Sequence, residues 1–495
     1  MDLFYHSTRG GDETRTASQA ILNGLAEDGG LYVPDRIPAL DVPLGELAKM
    51  NYREVAFEIL RRFLTDYSAG ELRHCIDSAY DEKFDTPEIA PLHYADGSFY
   101  LELFHGKTIA FKDMALSILP YLMTTAMKKN HIDSRIVILT ATSGDTGKAA
   151  LAGFEDVPGT EIIVFYPKDG VSPVQERMMV TQTGENTHVV AIRGNFDDAQ
   201  TGVKKIFGNR KLAEELESAG YRFSSANSIN IGRLVPQVAY YVYAYVSLLR
   251  EGKIREGEKI NITVPTGNFG NILAAHYAKE MGLPVDRLIC ASNSNNVLTD
   301  FFRTGIYDKN RKFYLTSSPS MDILVSSNLE RLLYEADDQN ADRTRERMRS
   351  LQATGKYTVT ENMERNMADF YGAFASEEEV FAQIQKVFRN DHYIIDPHTA
   401  VASFVCDRYR QETGDGKPAV IASTASPYKF TRNVLHALDR KYDSFSDDEQ
   451  FDALSELSET EIPPAIRVLR TAKVRHNTVV EISEMEKSVR DILHI

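Results

Sequence analysis

The sequence predicts an α/β protein whose mainly parallel sheet is covered by helices, with a mostly helical segment in front of it. Three observations predict this. Short apolar, β-branched runs such as Arg135–Thr140 (RIVILT) and Glu161–Tyr166 (EIIVFY) recur along the chain. Stretches with apolar residues at helical spacing separate them, and glycine- or hydroxyl-rich turns stand where strand passes into helix. Strands and helices alternating in this way form parallel sheets buried on both faces.

Residues 1–95 carry helical spacing, clearest over Tyr52–Leu64 and in the run that opens at Gly70. Pro87 and Pro91 punctuate a boundary before a strand at Phe99–Leu103. The strand 135–140 leads to a helix from about Thr146, and the strand 161–166 to a helix Gln175–Gln182. A strand His188–Ile192 then precedes a helix Asp197–Phe207. A strand Ile260–Val264, a glycine turn and a helix Ile272–Met281 follow, with further strands at Leu288–Ala291 and Ala419–Ser423. Residues 306–390 are richer in charge and helix, including Glu377–Arg389, and read as an insertion or a peripheral helical layer. The last helix is expected from Ser483, with Glu486 completing a capping box.

The 495 residues exceed one compact core and suggest about three units at ~150 residues each. Hydrophobic residues at 43% and charged residues at 26% are ordinary for a globular protein. The net charge of −15 argues against a nucleic-acid binder and against anionic membranes. It also means that any anionic ligand needs a local positive site. The opening MDLFYHSTRGGDETR lacks the basic start and apolar core of a signal peptide, and no apolar run approaches the ~20 residues of a membrane span. Cys75, Cys290 and Cys406 are sparse and far apart, which points to a reducing compartment, so a cytoplasmic location is expected. Neither CxxC nor HExxH occurs, so no metal is expected.

Chemistry is sought where strands end, because ligands of parallel sheets sit there. The segment FHGKTIAFKDMALSILP (104–120) sets Lys112 beside Ile109, Ala110, Phe111 and Met114. Desolvation lowers an amine's pKa and makes it a nucleophile for an aldehyde; the alternative is a surface lysine paired with Asp113. The loop ATSGDTGKAA (141–150) exposes backbone N–H groups at a helix start and suits a carboxylate. It is not a nucleotide-binding P-loop, because Thr142 stands at the first glycine position and Ala149 follows Lys148. In PTGNFGNILAA (265–275), Gly267 and Gly270 allow close backbone approach before a helix, a phosphate cradle without a basic side chain. In ASTASPYKF (422–430), Ser423 and Thr424 offer neutral hydroxyls at a strand end. Each loop alone also reads as an ordinary turn. The tyrosines at 240, 241, 243 and 245 read as buried packing or a subunit contact, and His398 as part of a helix entry after Asp396-Pro397, with substrate contact from a strand-end loop as the alternative.

In this order, HGKTIAFKD, ATSGDTG, PTGNFGN and STASPYKF resemble the signature segments of the threonine synthase family. YHSTRG (5–10), SANSINIGRLVPQ (225–237) and SPSMDI (318–323) resemble it too, and the likeness runs from residue 5 to about 430. The resemblance implies pyridoxal phosphate (PLP) as cofactor and fold type II, with two open, twisted, mainly parallel sheets. It implies an N-terminal unit over 1–95, a large PLP-binding unit over 96–132 and 223–495 with the insertion at 306–390, and a small unit over 133–222. Lys112 would hold the cofactor aldehyde and then serve as acid–base group. Gly267, Asn268, Phe269, Gly270 and Asn271 would bind the cofactor phosphate, Thr424 its ring nitrogen, and Asp145 would lie near its ring hydroxyl. Thr142, Ser143, Gly144 and Thr146 would hold the substrate carboxylate. Asn227, Ser228, Asn230, Lys107 and Arg233 are candidates for other substrate contacts, as is Lys148 for its phosphate.

The sequence departs from the family where Lys107 replaces a frequent proline, Asn271 a frequent aspartate and Ser426 a frequent histidine. The implied activity is conversion of O-phospho-L-homoserine to threonine by a lyase, in a monomer or homodimer. A PLP-dependent serine or threonine dehydratase, or a threonine synthase-like phospho-lyase, is the nearest alternative. A non-catalytic metabolite-binding α/β protein is an alternative of another class.

Overall fold

A computed structural model describes every residue except Met1, Asp12 and Ser143. Its main sheet has six strands in the order Phe370–Phe374, Val285–Ser292, Ile260–Pro265, Ala419–Ser423, Ser98–Glu102 and Leu92–Ala95. All neighbours are parallel except the last pair, which forms an antiparallel edge. Ile421 lies at the centre, opposite Thr263 on one side and Tyr100 on the other. All six residues of Ile260–Pro265 and all five of Ala419–Ser423 are buried, as expected of central parallel strands covered on both faces.

A second sheet has five parallel strands in the order Thr478–Glu481, Thr187–Arg193, Thr160–Pro167, Arg135–Ala141 and Tyr221–Ser224. Its first strand comes from the far end of the chain. The two sheets fulfil the expected fold class.

Local chemistry explains the helix boundaries. Helix Tyr52–Phe63 starts on Asn51 and helix Ala69–Ala79 on Ser68, each with a reciprocal glutamate three residues on. Helix Pro397–Thr413 opens with proline in its first turn, and the Asp396 side chain accepts from the His398 and Thr399 N–H groups. At the other end of the chain the expectation fails. The residues 482–484 form a 3₁₀ turn, helix Met485–Leu493 follows, and the capping box is Glu481 with Glu484 rather than Ser483 with Glu486. The reason lies in strand Thr478–Glu481, which the chain leaves by turning directly at Glu481. Residues 306–390 are likewise not purely helical. Ile306–Asp308 pairs antiparallel with Lys356–Thr358, and Phe370–Phe374 is an edge strand of the main sheet. A five-residue apolar run such as FYGAF carries too little periodicity to distinguish strand from helix.

One helix, Ile231–Arg250, runs through the interior with almost every residue buried, including the four tyrosines. It packs on the helix Gly270–Glu280 that begins at the glycine turn. Among the described residues no helix is long and apolar enough to cross a membrane.

Candidate functional site

Four strand ends converge on one cavity of about 340 Å³, whose lining includes Lys112, Thr142, Asp145, Arg233, Asn271 and Thr424. The strand Ser98–Glu102 leads to Lys112, Arg135–Ala141 to Thr142, Ile260–Pro265 to the 266–270 turn, and Ala419–Ser423 to Thr424.

Lys112 precedes the short helix Asp113–Leu116. Its segment is laced to the 424–426 turn: the Phe111 N–H donates to the Thr424 carbonyl at 2.8 Å and the Ser426 N–H to the Ile109 carbonyl at 3.0 Å. Ile109 adopts φ +50°, rare for a β-branched residue and costing roughly 1–3 kcal/mol. Asp113 does not pair with Lys112. Its carboxylate accepts from the Thr108 N–H at 2.8 Å and the Thr108 hydroxyl at 2.6 Å, and burial raises its pKa.

The Lys112 ammonium instead donates to Ser320 Oγ at 3.1 Å, lies 3.7 Å from Asp145 Oδ2 and sits over the Phe111 ring. The Ser320 hydroxyl donates to Asp145 Oδ2 at 3.0 Å, so one hydroxyl bridges amine and carboxylate. A second, fully buried lysine, Lys429, donates to the Thr108 carbonyl at 2.9 Å and lies 3.2 Å from Asp145 Oδ1. Gln175 donates to the same oxygen at 2.8 Å. Burial pushes the Lys112 pKa down to about 8; Asp145 opposes the shift while Lys429 and Arg233 add to it. Burial alone would raise Asp145, but Lys429 and then Lys112 hold it well below the usual carboxylate range. Behind Ser320, His398 Nε2 accepts from the Ser320 N–H at 3.2 Å, leaving Nδ1–H to donate to Asp396 Oδ2 at 2.7 Å.

Across the cavity, Asn271 Oδ1 receives the hydroxyls of Tyr240 and Tyr241 at 2.6 and 2.5 Å. Its Nδ2 is buried without a partner, a donor that the aspartate frequent at this position lacks. Arg233 is similar. Its guanidinium is buried, Nη1 donates to the Ala226 carbonyl at 2.8 Å, and Nε has no partner. Burial lowers its pKa to about 10. Unsatisfied buried donors on both residues leave places for hydrogen-bond acceptors of a bound ligand.

The remaining candidates divide. Thr142 Oγ1 accepts from the Gly144 and Gly147 N–H groups at 3.0 and 2.9 Å, which shapes the loop. Thr146, Asn227 and Ser228 line the cavity; Gly144 does not, and Ser143 lies outside the described residues. Asn230 serves the backbone, donating to the Ile21 and Ser225 carbonyls and accepting from the Gly232 N–H. Lys107 and Lys148 are not brought to the cavity. The first pairs with Glu155 at 2.7 Å and the second donates to Gln182 at 2.5 Å. Ser426 caps a turn by accepting from the Tyr428 N–H. The sequence assigns no role to Ser320 or Lys429, although they lie inside the segments SPSMDI and STASPYKF, and offers for His398 a helix entry or a substrate contact rather than support of Ser320.

These residues fit the cofactor that the resemblance implies. Gly267 leaves no room for a side chain, since a Cβ would stand 2.6 Å from the Ser320 carbonyl oxygen, whereas a Cβ on Gly270 would meet nothing closer than Asn328 Nδ2 at 3.4 Å. The turn is a cradle closed by backbone, with a helix N-terminus and the free Asn271 amide as anion donors. Lys112 and Thr424 line the same cavity. Gly267→Ala is expected to weaken PLP binding by about tenfold or more and Gly270→Ala by clearly less. Titration of the apo-protein with PLP measures both; equal losses would contradict the cradle.

Comparison with known proteins agrees with this geometry. Residues 4–80 match the family model "Threonine synthase N terminus", 90–425 "Pyridoxal-phosphate dependent enzyme" and 399–489 "Threonine synthase, C-terminal". Human threonine synthase-like 1 is 41% identical over 85% of this chain, and the chain spans 58% of that protein's length. Threonine synthase of Schizosaccharomyces pombe is 38% identical over 88% of this chain and 89% of its own. The crystal structure of PLP-bound threonine synthase from Brucella melitensis superposes with a TM-score of 0.88 at 34% identity, covering both chains completely. The chain belongs to the threonine synthase family of pyridoxal-phosphate-dependent enzymes.

Proposed function

We propose that this chain converts O-phospho-L-homoserine and water to L-threonine and phosphate, with PLP as cofactor. One observation carries the reading: a buried lysine shares a cavity with two residues that each hold a buried, unpaired donor, Asn271 Nδ2 and Arg233 Nε. A reaction that needs a cofactor phosphate and expels a substrate phosphate requires two such places.

PLP, when bound, draws off the negative charge left as the substrate's Cα proton departs. The chain's residues do the rest. Gly267, Asn268, Phe269, Gly270 and Asn271 hold the cofactor phosphate, and Thr424 faces the ring nitrogen. Thr142 and Thr146 hold the substrate carboxylate at the N-terminus of helix Asp145–Phe154. Arg233, with Asn227 and Ser228, takes the substrate phosphate. Lys107 and Lys148 are occupied by Glu155 and Gln182. Lys112 removes the proton from Cα, moves the proton at Cβ that allows phosphate to leave Cγ, delivers a proton to Cγ so that water can add at Cβ, and finally returns one to Cα. Ser320 and Asp145 orient its amine. The small unit over 133–222 supplies the carboxylate loop. Three unpaired, buried cysteines support the cytoplasmic location and reducing compartment.

The nearest alternative is a threonine synthase-like phospho-lyase that releases a keto acid. Products distinguish them. With O-phospho-L-homoserine the expected yield is one threonine per phosphate. Phosphate accompanied by 2-oxobutyrate and ammonia would replace the first reading with the second.

A further inference from the structure

The YHSTRG segment at 5–10 is far from Lys112 in sequence and supplies nothing to the cavity lining. Three of its side chains converge on one helix, Leu329–Ala336. The Thr8 hydroxyl donates to Glu330 Oε1 at 2.6 Å, Arg9 clamps both Glu330 oxygens at 2.8 and 2.7 Å, and His6 Nε2 meets the Tyr334 hydroxyl at 2.9 Å. The three residues that precede this helix all bond the 267–268 turn. Ser326 Oγ donates to the Gly267 carbonyl at 2.7 Å and Ser327 Oγ to Asn268 Oδ1 at 3.3 Å. The Asn328 N–H and Nδ2 both donate to the Asn268 carbonyl, at 3.1 and 3.0 Å. The turn needs holding, because Phe269 adopts φ +67°, which a non-glycine residue keeps only when its surroundings enforce it.

The same unit reaches the other loop. Asn328 Nδ2 also donates to the Ser228 carbonyl at 3.3 Å, and Arg331 Nη2 to the Ile229 carbonyl at 2.6 Å. Arg331 Nη1 donates to Asn328 Oδ1, and Nε to the Tyr32 carbonyl at 2.9 Å. Asn328 is 0% and Arg331 1% exposed. None of these Arg331 bonds goes to a carboxylate. Its donors are spent on two backbone carbonyls and the one amide that spans both loops.

We propose that Ser326, Ser327, Asn328 and Arg331 are positioning residues that tie the 267–269 turn to the 228–229 loop, so that the cofactor-phosphate and substrate-phosphate sites form together. The N-terminal YHSTRG segment anchors the helix that carries them. This rests on the assignment of those two loops proposed above.

The test compares wild type with Arg331→Lys, Ser326→Ala and Asn227→Ala. Three quantities are read: the PLP affinity of the apo-protein, KM for O-phospho-L-homoserine at saturating PLP, and the apo-protein melting temperature. Arg331 touches no atom of the 267–271 turn, yet Arg331→Lys is expected to raise both the PLP Kd and KM by about tenfold. Asn227→Ala is expected to raise KM alone. A folded Arg331→Lys protein with unchanged PLP affinity overturns the proposal. If that variant does not fold, Ser326→Ala decides, since its hydroxyl meets only the Gly267 carbonyl. An unchanged KM in Ser326→Ala overturns the coupling, and a rise in both constants supports it. A wild type that binds no PLP or releases no phosphate sinks the functional reading instead.

Discussion

Replacing Lys112 with alanine is expected to leave a folded protein whose turnover falls at least about a thousandfold, because the proposed acid–base group is gone. The fold survives because the side chain faces a cavity and its single hydrogen bond goes to Ser320. Stability of the apo-protein should rise. The Lys112 pKa stands at about 8 in the folded protein against an ordinary value of 10.5. Below pH 8 the unfolded chain carries this proton at no cost and the folded protein carries it against burial and two neighbouring cations. The penalty is therefore complete at pH 7 and fades as pH climbs from 8 to 10.5. The gain in melting temperature of Lys112→Ala should be larger at pH 7 than at pH 10.5. Phosphate release and thermal melts at the two pH values check both halves; threonine formation at a wild-type rate would remove Lys112 from its role.

Lys429→Met should move the pH dependence of cofactor capture. Lys429 and Lys112 share one carboxylate, Asp145, on its two oxygens. Without Lys429, Lys112 loses a repelling neighbour and keeps the carboxylate to itself, so its pKa climbs above 8. Capture of the PLP aldehyde needs the neutral amine. The midpoint of capture rate against pH should shift upward by roughly one unit, and capture at pH 7.5 should slow accordingly. Lys429→Met also strands part of a buried ion cluster, with a stability loss of roughly 3–5 kcal/mol. Stopped-flow mixing of apo-protein with PLP across pH 6–10 reads the midpoint independently of turnover. An unchanged midpoint would leave Lys429 as packing alone.

The central strands were legible because residues 135–140, 260–264 and 419–423 are β-branched or small runs ending in loops rich in glycine and hydroxyls. Lys112 and the glycine turn were legible through local segments. What escaped is long-range. Ser320 meets Lys112 only after a separation of some two hundred residues, and no spacing rule links them. Tyr240 and Tyr241 read as packing because their apolar rings dominate the pattern, while their hydroxyls set which end of Asn271 faces the cavity. Lys107 read as a cation near the site through its nearness in sequence to Lys112. Its neighbour in space is Glu155, so its charge is spent elsewhere. Asn230 stood in the same run as Asn227, yet a helix start turns one inward to the backbone and leaves the other on the cavity wall.

The strand Thr478–Glu481 also bears on how the protein is made. It closes one margin of the five-stranded sheet by pairing with Thr187–Arg193, whose other neighbours all lie within residues 135–224. During synthesis the sheet can assemble early, but this margin stays bare while most of the remaining chain is still being added. A bare margin of unpaired N–H and C=O groups is a template for other chains. A nascent or prematurely terminated chain that ends before residue 478 therefore presents the ribbon THVVAIR to its neighbours, and its fate is decided by how fast the last strand arrives rather than by how stable the finished sheet is.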